Sequence, residues 1–105
     1  MMIARWSIDA KFGYKQNAIE LMQRWAREIG PQAGLTLENS RLLTGSVGAL
    51  EATLQSEVRI KDLAELDAAW TRLATIPAHR EWSKQLEPFV VSGTSRWEIF
   101  RVLEL

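Results

Sequence analysis

His79 is the one side chain here whose unperturbed pKa lies near neutrality, which makes it the first candidate for moving a proton or ligating a metal. Tyr14, directly after the break at Gly13, is the second candidate for proton transfer, because residues at loop–helix junctions are readily presented to a ligand. A lone histidine beside Pro77, in the first turn of a helix, is also an ordinary place for a solvated polar residue. The chain has no cysteine, which excludes a disulfide framework, a thiolate nucleophile, iron–sulfur clusters and every zinc site that needs sulfur. With a single histidine, multi-histidine metal sites go too, and no metal site is expected. Gly45, Gly48 and Gly93 form no dinucleotide or phosphate-cradle pattern, and Gly13-Tyr14-Lys15 is not followed by serine or threonine.

Five tryptophans in 105 residues suit a flat aromatic or polyketide-like ligand that stacks on indole faces. Trp82, near Pro77 and His79, is the best placed of them for a pocket. Trp6 and Trp70 are further ligand-binding candidates, although Trp25 and Trp70 fall on helical apolar stripes where core packing is the first explanation. Arg5, Glu57, Arg59 and Glu98 can orient a polar ligand, with Arg5 and Arg59 the candidate ligand contacts, or they can form salt bridges across a subunit seam. Thirteen basic residues balance thirteen acidic ones, so the electrostatic drive for nucleic-acid binding has no global source. No run of about 18 apolar residues suggests a membrane span, and no secretory leader is evident at the start, so a cytoplasmic location is expected.

These side chains must be positioned by one domain, residues 1–105, since no linker, repeat or low-complexity tract divides the chain. Met2 to Ala10 alternates, with Ala4, Trp6 and Ile8 on one face and Arg5, Ser7 and Asp9 on the other, and predicts a strand. Ala18, Leu21, Met22, Trp25, Ala26 and Ile29 then recur at helical spacing, with Gly30-Pro31 as the expected stop, Gly30 taking a left-handed cap. After a loop over 31–39, Ser40 to Val47 and Leu50 to Ile60 predict a hairpin around Gly48-Ala49. Asp62 and Glu65 form a capping box for a helix carrying Leu63, Leu66, Trp70 and Leu73. Pro77 suits the first turn of a further helix with Trp82, Leu86 and Phe89 on one side. Arg96 to Leu105 alternates again as a last strand. The order strand, helix, strand, strand, helix, strand predicts an α+β, ferredoxin-like sandwich: a four-stranded antiparallel sheet with helices on one face.

The hairpin TGSVGALEATLQSEVRI, the helix opening DLAELDAAW, the stretch ATIPAHREWSKQLEPFVVSG and the closing SRWEIF together resemble the dimeric α/β-barrel superfamily, close to its NIPSNAP-like group. The stretch from Trp70 to Val90 is similar to antibiotic-biosynthesis monooxygenases. The resemblance implies a homodimer in which two sheets join into a barrel, and cofactor-independent oxygenase or isomerase chemistry on an acidic, electron-rich substrate. In the haem-degrading relatives an asparagine on strand one and a more distant histidine matter; IARWSID has no asparagine and His79 lies too near Trp70, so no cofactor is expected. The expectation is a homodimer that encloses a small, largely apolar or aromatic ligand between the Leu63–Leu73 helix and the sheet, with no nucleic-acid or membrane partner. The alternative is a non-enzymatic interaction module, without ligand, whose uncovered sheet face carries Leu43, Phe100 and Val102 and serves only to associate.

Overall fold

Alternating side chains in four segments produce the sheet, and the computed structural model describes all of residues 1–105. The strands are β1 (Met2–Asp9), β2 (Ser40–Thr44), β3 (Thr53–Ile60) and β4 (Arg96–Arg101), ordered β2-β3-β1-β4 with every neighbouring pair antiparallel. The helices are α1 (Lys15–Arg24), α2 (Leu63–Leu73) and α3 (Pro77–Leu86), so the chain folds as a ferredoxin-like α+β domain with its helices on one face of the sheet. No helix is long and apolar enough to cross a membrane.

Register decides which side chains meet the helices. Trp6 lies opposite Ser56 on one side and Trp97 on the other, and Ala4 lies between Val58 and Ile99. These residues, with Ile8, Leu54 and Ile60, form the covered face. Against them pack Ala18 and Met22 of α1, Leu66, Ala69 and Leu73 of α2, and Trp82 and Leu86 of α3, all buried. A fully buried leucine such as Leu66, 1% exposed, contributes about 1.5–3 kcal/mol through apolar area withdrawn from water.

The local signals act through identifiable bonds. Asp62 accepts from the Glu65 backbone N–H at 2.9 Å, while the Glu65 carboxylate accepts from the Lys61 N–H at 2.6 Å, a capping box shifted by one residue on its return arm. Pro77 occupies the first turn of α3, where its missing N–H costs nothing, and Ile76 before it is extended, so α2 and α3 are separate helices.

Three expectations are corrected. Gly30 is not a left-handed cap: its backbone is right-handed, and the positive φ of 87° falls at Gly34. After Arg24, α1 widens into a π-helical turn (Trp25–Ile29) and then tightens into a 3-10 turn (Gly30–Ala33) that Gly34 ends, with Pro31 in the first turn of the latter, where it is tolerated. Glycine is needed at 30 for close approach, because a Cβ there would lie 2.9 Å from the Trp25 ring and 3.0 Å from the Leu35 carbonyl oxygen. The hairpin strands are shorter than their β-rich sequence predicts. Gly45 lies against the Leu50 carbonyl, where a Cβ would come within 1.7 Å, and that approach turns residues 45–52 into a loop. Strand β4 stops at Arg101, so Leu103 and Glu104 lie outside the sheet, and the Val102 N–H is bonded to the Met1 carbonyl at 3.0 Å.

Candidate functional site

All five tryptophans line one cavity of about 350 Å³ between the helices and the sheet. Each comes from a different element: Trp6 from β1, Trp25 from the π-helical turn, Trp70 from α2, Trp82 from α3 and Trp97 from β4. The floor is low because Ser56, a small residue at the middle of β3, sits opposite Trp6. The break at Ile76 gives the roof two helices rather than one, with Trp70 and Leu73 from α2 and His79, Trp82 and Ser83 from α3. Met22, Leu35 and Leu42 complete an apolar lining.

The indoles divide into an inner and an outer set. Trp82 is 6% exposed and donates from Nε1 to the Leu21 carbonyl at 2.7 Å, which ties α3 to α1. Its ring centroid lies 6.4 Å from Trp6 and 6.1 Å from Trp25. Trp6 donates to Ser95 Oγ at 2.7 Å. Trp70 and Trp97 meet edge to face at 5.2 Å and are 38% and 45% exposed, so they form the mouth. Trp70 is therefore cavity wall rather than core filler, a correction to the stripe-based expectation for it: its ring overhangs the opening while Leu66, Ala69 and Leu73 hold α2 down.

His79 is the titratable group in the lining. Its Nδ1 accepts a hydrogen bond from Trp25 Nε1 at 3.0 Å, and its ring lies within 17° of parallel to Trp82 at 6.0 Å. Burial holds its pKa below the usual histidine value, because a half-buried imidazolium loses hydration.

The structure brings His79, Trp82, Trp70 and Trp6 together and leaves the other candidates outside. Tyr14 packs on Phe89 at 5.7 Å, half exposed, beyond the cavity lining. Arg5 points to the uncovered face, where it donates to Glu57 at 2.6 Å and lies 4.7 Å over the Phe100 ring. Arg41 donates to the other Glu57 oxygen at 2.7 Å. Arg59 donates to the Glu38 carbonyl at 2.8 Å. Alternation explains this: Arg5, Arg59 and Glu57 have the opposite parity to Trp6 and Ser56. Burial raises the Glu57 pKa, but the hydrogen bonds and charges of Arg41 and Arg5 outweigh that and hold the carboxyl below its usual value.

Sequence reasoning missed Trp97, Trp25 and Ser56 as lining residues, and Arg41 as a partner of Glu57. The Arg41–Glu57 pairing follows from hairpin register, since the two lie directly opposite. The Trp25–His79 bond spans 54 positions and leaves no local signal.

A single layer of helices on one face of a β2-β3-β1-β4 antiparallel sheet defines a ferredoxin-like protein. Among solved structures, the chain is similar to a NIPSNAP family protein from Agrobacterium tumefaciens, with 15% identity over 98% of this chain and 86% of that one and a TM-score of 0.78. It is also similar to an antibiotic biosynthesis monooxygenase, with 12% identity over 99% and 100% of the two chains and a TM-score of 0.70. A third similar structure is SnoaB, a cofactor-independent oxygenase from Streptomyces nogalater, with 12% identity over 99% and 95% and a TM-score of 0.67. At these identities the likeness is one of fold, and it falls on the two groups that the sequence resembles. No family model matches the chain, and no curated protein matches its sequence.

Proposed function

We propose that this protein binds a small, flat, largely apolar ligand in the tryptophan-lined cavity, and that it does so as a homodimer joined through the uncovered sheet face. The observation that carries the first part is the convergence of every indole in the chain on one cavity from five separate elements. Scattered tryptophans serve as core filler; here Trp82 is strongly buried, Trp6 and Trp25 are partly buried beside it, and Trp70 and Trp97 stand exposed at the opening. A volume of about 350 Å³ is at the lower end of small-molecule sites and accommodates two or three fused rings. The second part is supported by Leu43 and Phe100, large apolar side chains exposed on the face opposite the helices.

Fluorene, a flat three-ring hydrocarbon, is a suitable probe for calorimetric titration. Binding of about one fluorene per chain, abolished by Ser56→Phe, which raises the cavity floor, is the expected result. Failure of the unmodified protein to bind, or undiminished binding by Ser56→Phe, overturns the ligand site. Native mass spectrometry tests the association separately: a dimer at micromolar concentration is expected, and a monomer overturns it.

A further inference from the structure

We infer that His79 serves the cavity as a fixed hydrogen-bond donor, so that the ligand selected there carries an acceptor oxygen of carbonyl type on its flat ring system. The inference rests on the proposed ligand site and adds to it a polarity and a direction.

The two nitrogens of His79 are not equivalent. An indole nitrogen only donates, so the bond from Trp25 Nε1 at 3.0 Å requires a lone pair on Nδ1, and in the neutral ring the proton then resides on Nε2. The bond from Trp25 and ring stacking on Trp82 hold the side chain at this angle. Nε2 is not sealed in the core: the buried side-chain polar atom left without a partner in this molecule is Ser7 Oγ, on the opposite face of the sheet. Since Nε2 is not sealed and His79 lines the cavity, its N–H is assigned to the ligand.

The same bond works against a base at this position. To take a proton at Nε2, the neutral ring would first have to move its own proton to Nδ1, where it would confront the Trp25 N–H donor to donor. Accepting a proton while Nδ1 remains bonded is blocked in the same way, because the imidazolium carries hydrogen on both nitrogens. With Tyr14 outside the lining, the cavity holds a group that polarises an oxygen in place of one that removes a proton.

Four other polar groups of the lining have their protons engaged within the protein, which leaves Nε2–H as the inner donor. Trp6, Trp25 and Trp82 direct their N–H groups to Ser95, His79 and the Leu21 carbonyl, and the Ser83 hydroxyl is bonded to the His79 carbonyl at 3.0 Å. Trp70 and Trp97 stand half-exposed at the opening, and the Ser56 hydroxyl, which both donates and accepts, is at the floor. An acceptor oxygen placed at Nε2–H completes that donor's bonding, whereas a group that only donates leaves N–H facing N–H at this position.

Fluorene and 9-fluorenone share a ring skeleton and differ in the carbonyl, so their comparison isolates the proposed contact. The unmodified protein is expected to bind fluorenone about fivefold more tightly than fluorene, the effect of one net hydrogen bond, with the carbonyl stretch of bound fluorenone shifted to lower frequency. His79→Leu should lose both the preference for fluorenone over fluorene and the shift, the readout being the ratio of the two affinities within the variant. Equal affinity for the two probes with an unshifted carbonyl overturns the donor role and leaves the ligand site standing. Binding of neither probe removes the ligand site and this inference with it. Nitrogen-15 NMR of the unmodified protein provides an independent check: a protonated Nε2 and an unprotonated Nδ1 are expected, and the reverse tautomer overturns the inference whatever the fate of the variant.

Discussion

Replacing Glu57 by glutamine would isolate the carboxylate at the centre of the uncovered face. Glu57 is 3% exposed, and its two oxygens accept separately from Arg5 and Arg41 at 2.6 and 2.7 Å. A sheltered hydrogen bond to a charged group contributes about 1.5–3 kcal/mol net, whereas an exposed ion pair contributes about 0–1 kcal/mol. The Arg5 side chain is 30% exposed and the Arg41 side chain 65%, which places the first near the bottom of the sheltered range and the second in the exposed range. Glutamine keeps one acceptor, turns an amide NH2 toward the other guanidinium and removes the charge from both bonds, for an expected loss of about 2 kcal/mol. For a domain of this size that lowers the unfolding midpoint by about 8–16 °C. The loss also has a pH signature. A carboxyl whose folded pKa is depressed contributes stability above its unfolded value, near 4.5, and loses that contribution as pH falls through the folded value. The gap between the two proteins should therefore be full near neutrality and close in acid. Urea unfolding across pH at one fixed protein concentration measures it, the concentration being held because association would add to apparent stability. Equal stability at neutral pH, or a gap unchanged in acid, would refute the reasoning.

His79 acts in a higher pH window. Its folded pKa is below the unfolded value of about 6.5, so the unfolded chain binds the extra proton first, and stability should fall as pH drops from 6.5 to the folded value and then level off. His79→Gln should lack this step in thermal unfolding over the same range, and identical profiles would count against a buried neutral imidazole. Gly30→Ala should cost about 1–3 kcal/mol, because the added Cβ meets the Trp25 ring at 2.9 Å and that ring is held by its bond to His79. Denaturant unfolding combined with near-ultraviolet circular dichroism reads both effects; an unaltered aromatic spectrum with unaltered stability would show that the ring yields freely.

The legible part of this protein is what alternation and capping encode locally. Trp6, Ser56 and Val58 could be assigned to one face by parity, Asp62 and Glu65 to a helix start, and Pro77 to a helix N-terminus, and from their order the ferredoxin-like topology followed. The illegible part is what depends on how elements meet. Parity groups Trp97 with Ile99 but does not say that Trp97 stands opposite Trp6, since that depends on where β4 begins to pair. The chemistry of Arg5 and Arg59 suggests ligand contacts beside the tryptophans, although their own parity separates them from Trp6. Gly30 followed by proline looks like an ordinary helix ending; only the tertiary approach of Trp25 and Leu35 shows that the position requires smallness rather than a positive φ.

The gathering of all five indoles into one place also determines what light reports about this molecule. Ring centroids 5.2 to 6.4 Å apart are close enough for electronic transitions to mix, so the near-ultraviolet spectrum carries the mutual angles of the inner trio and the mouth pair rather than an average over the fold. No tryptophan elsewhere contributes a background signal. The protein therefore contains a native spectroscopic label confined to its cavity, and a change in tryptophan emission on adding a compound originates in the walls of that one space.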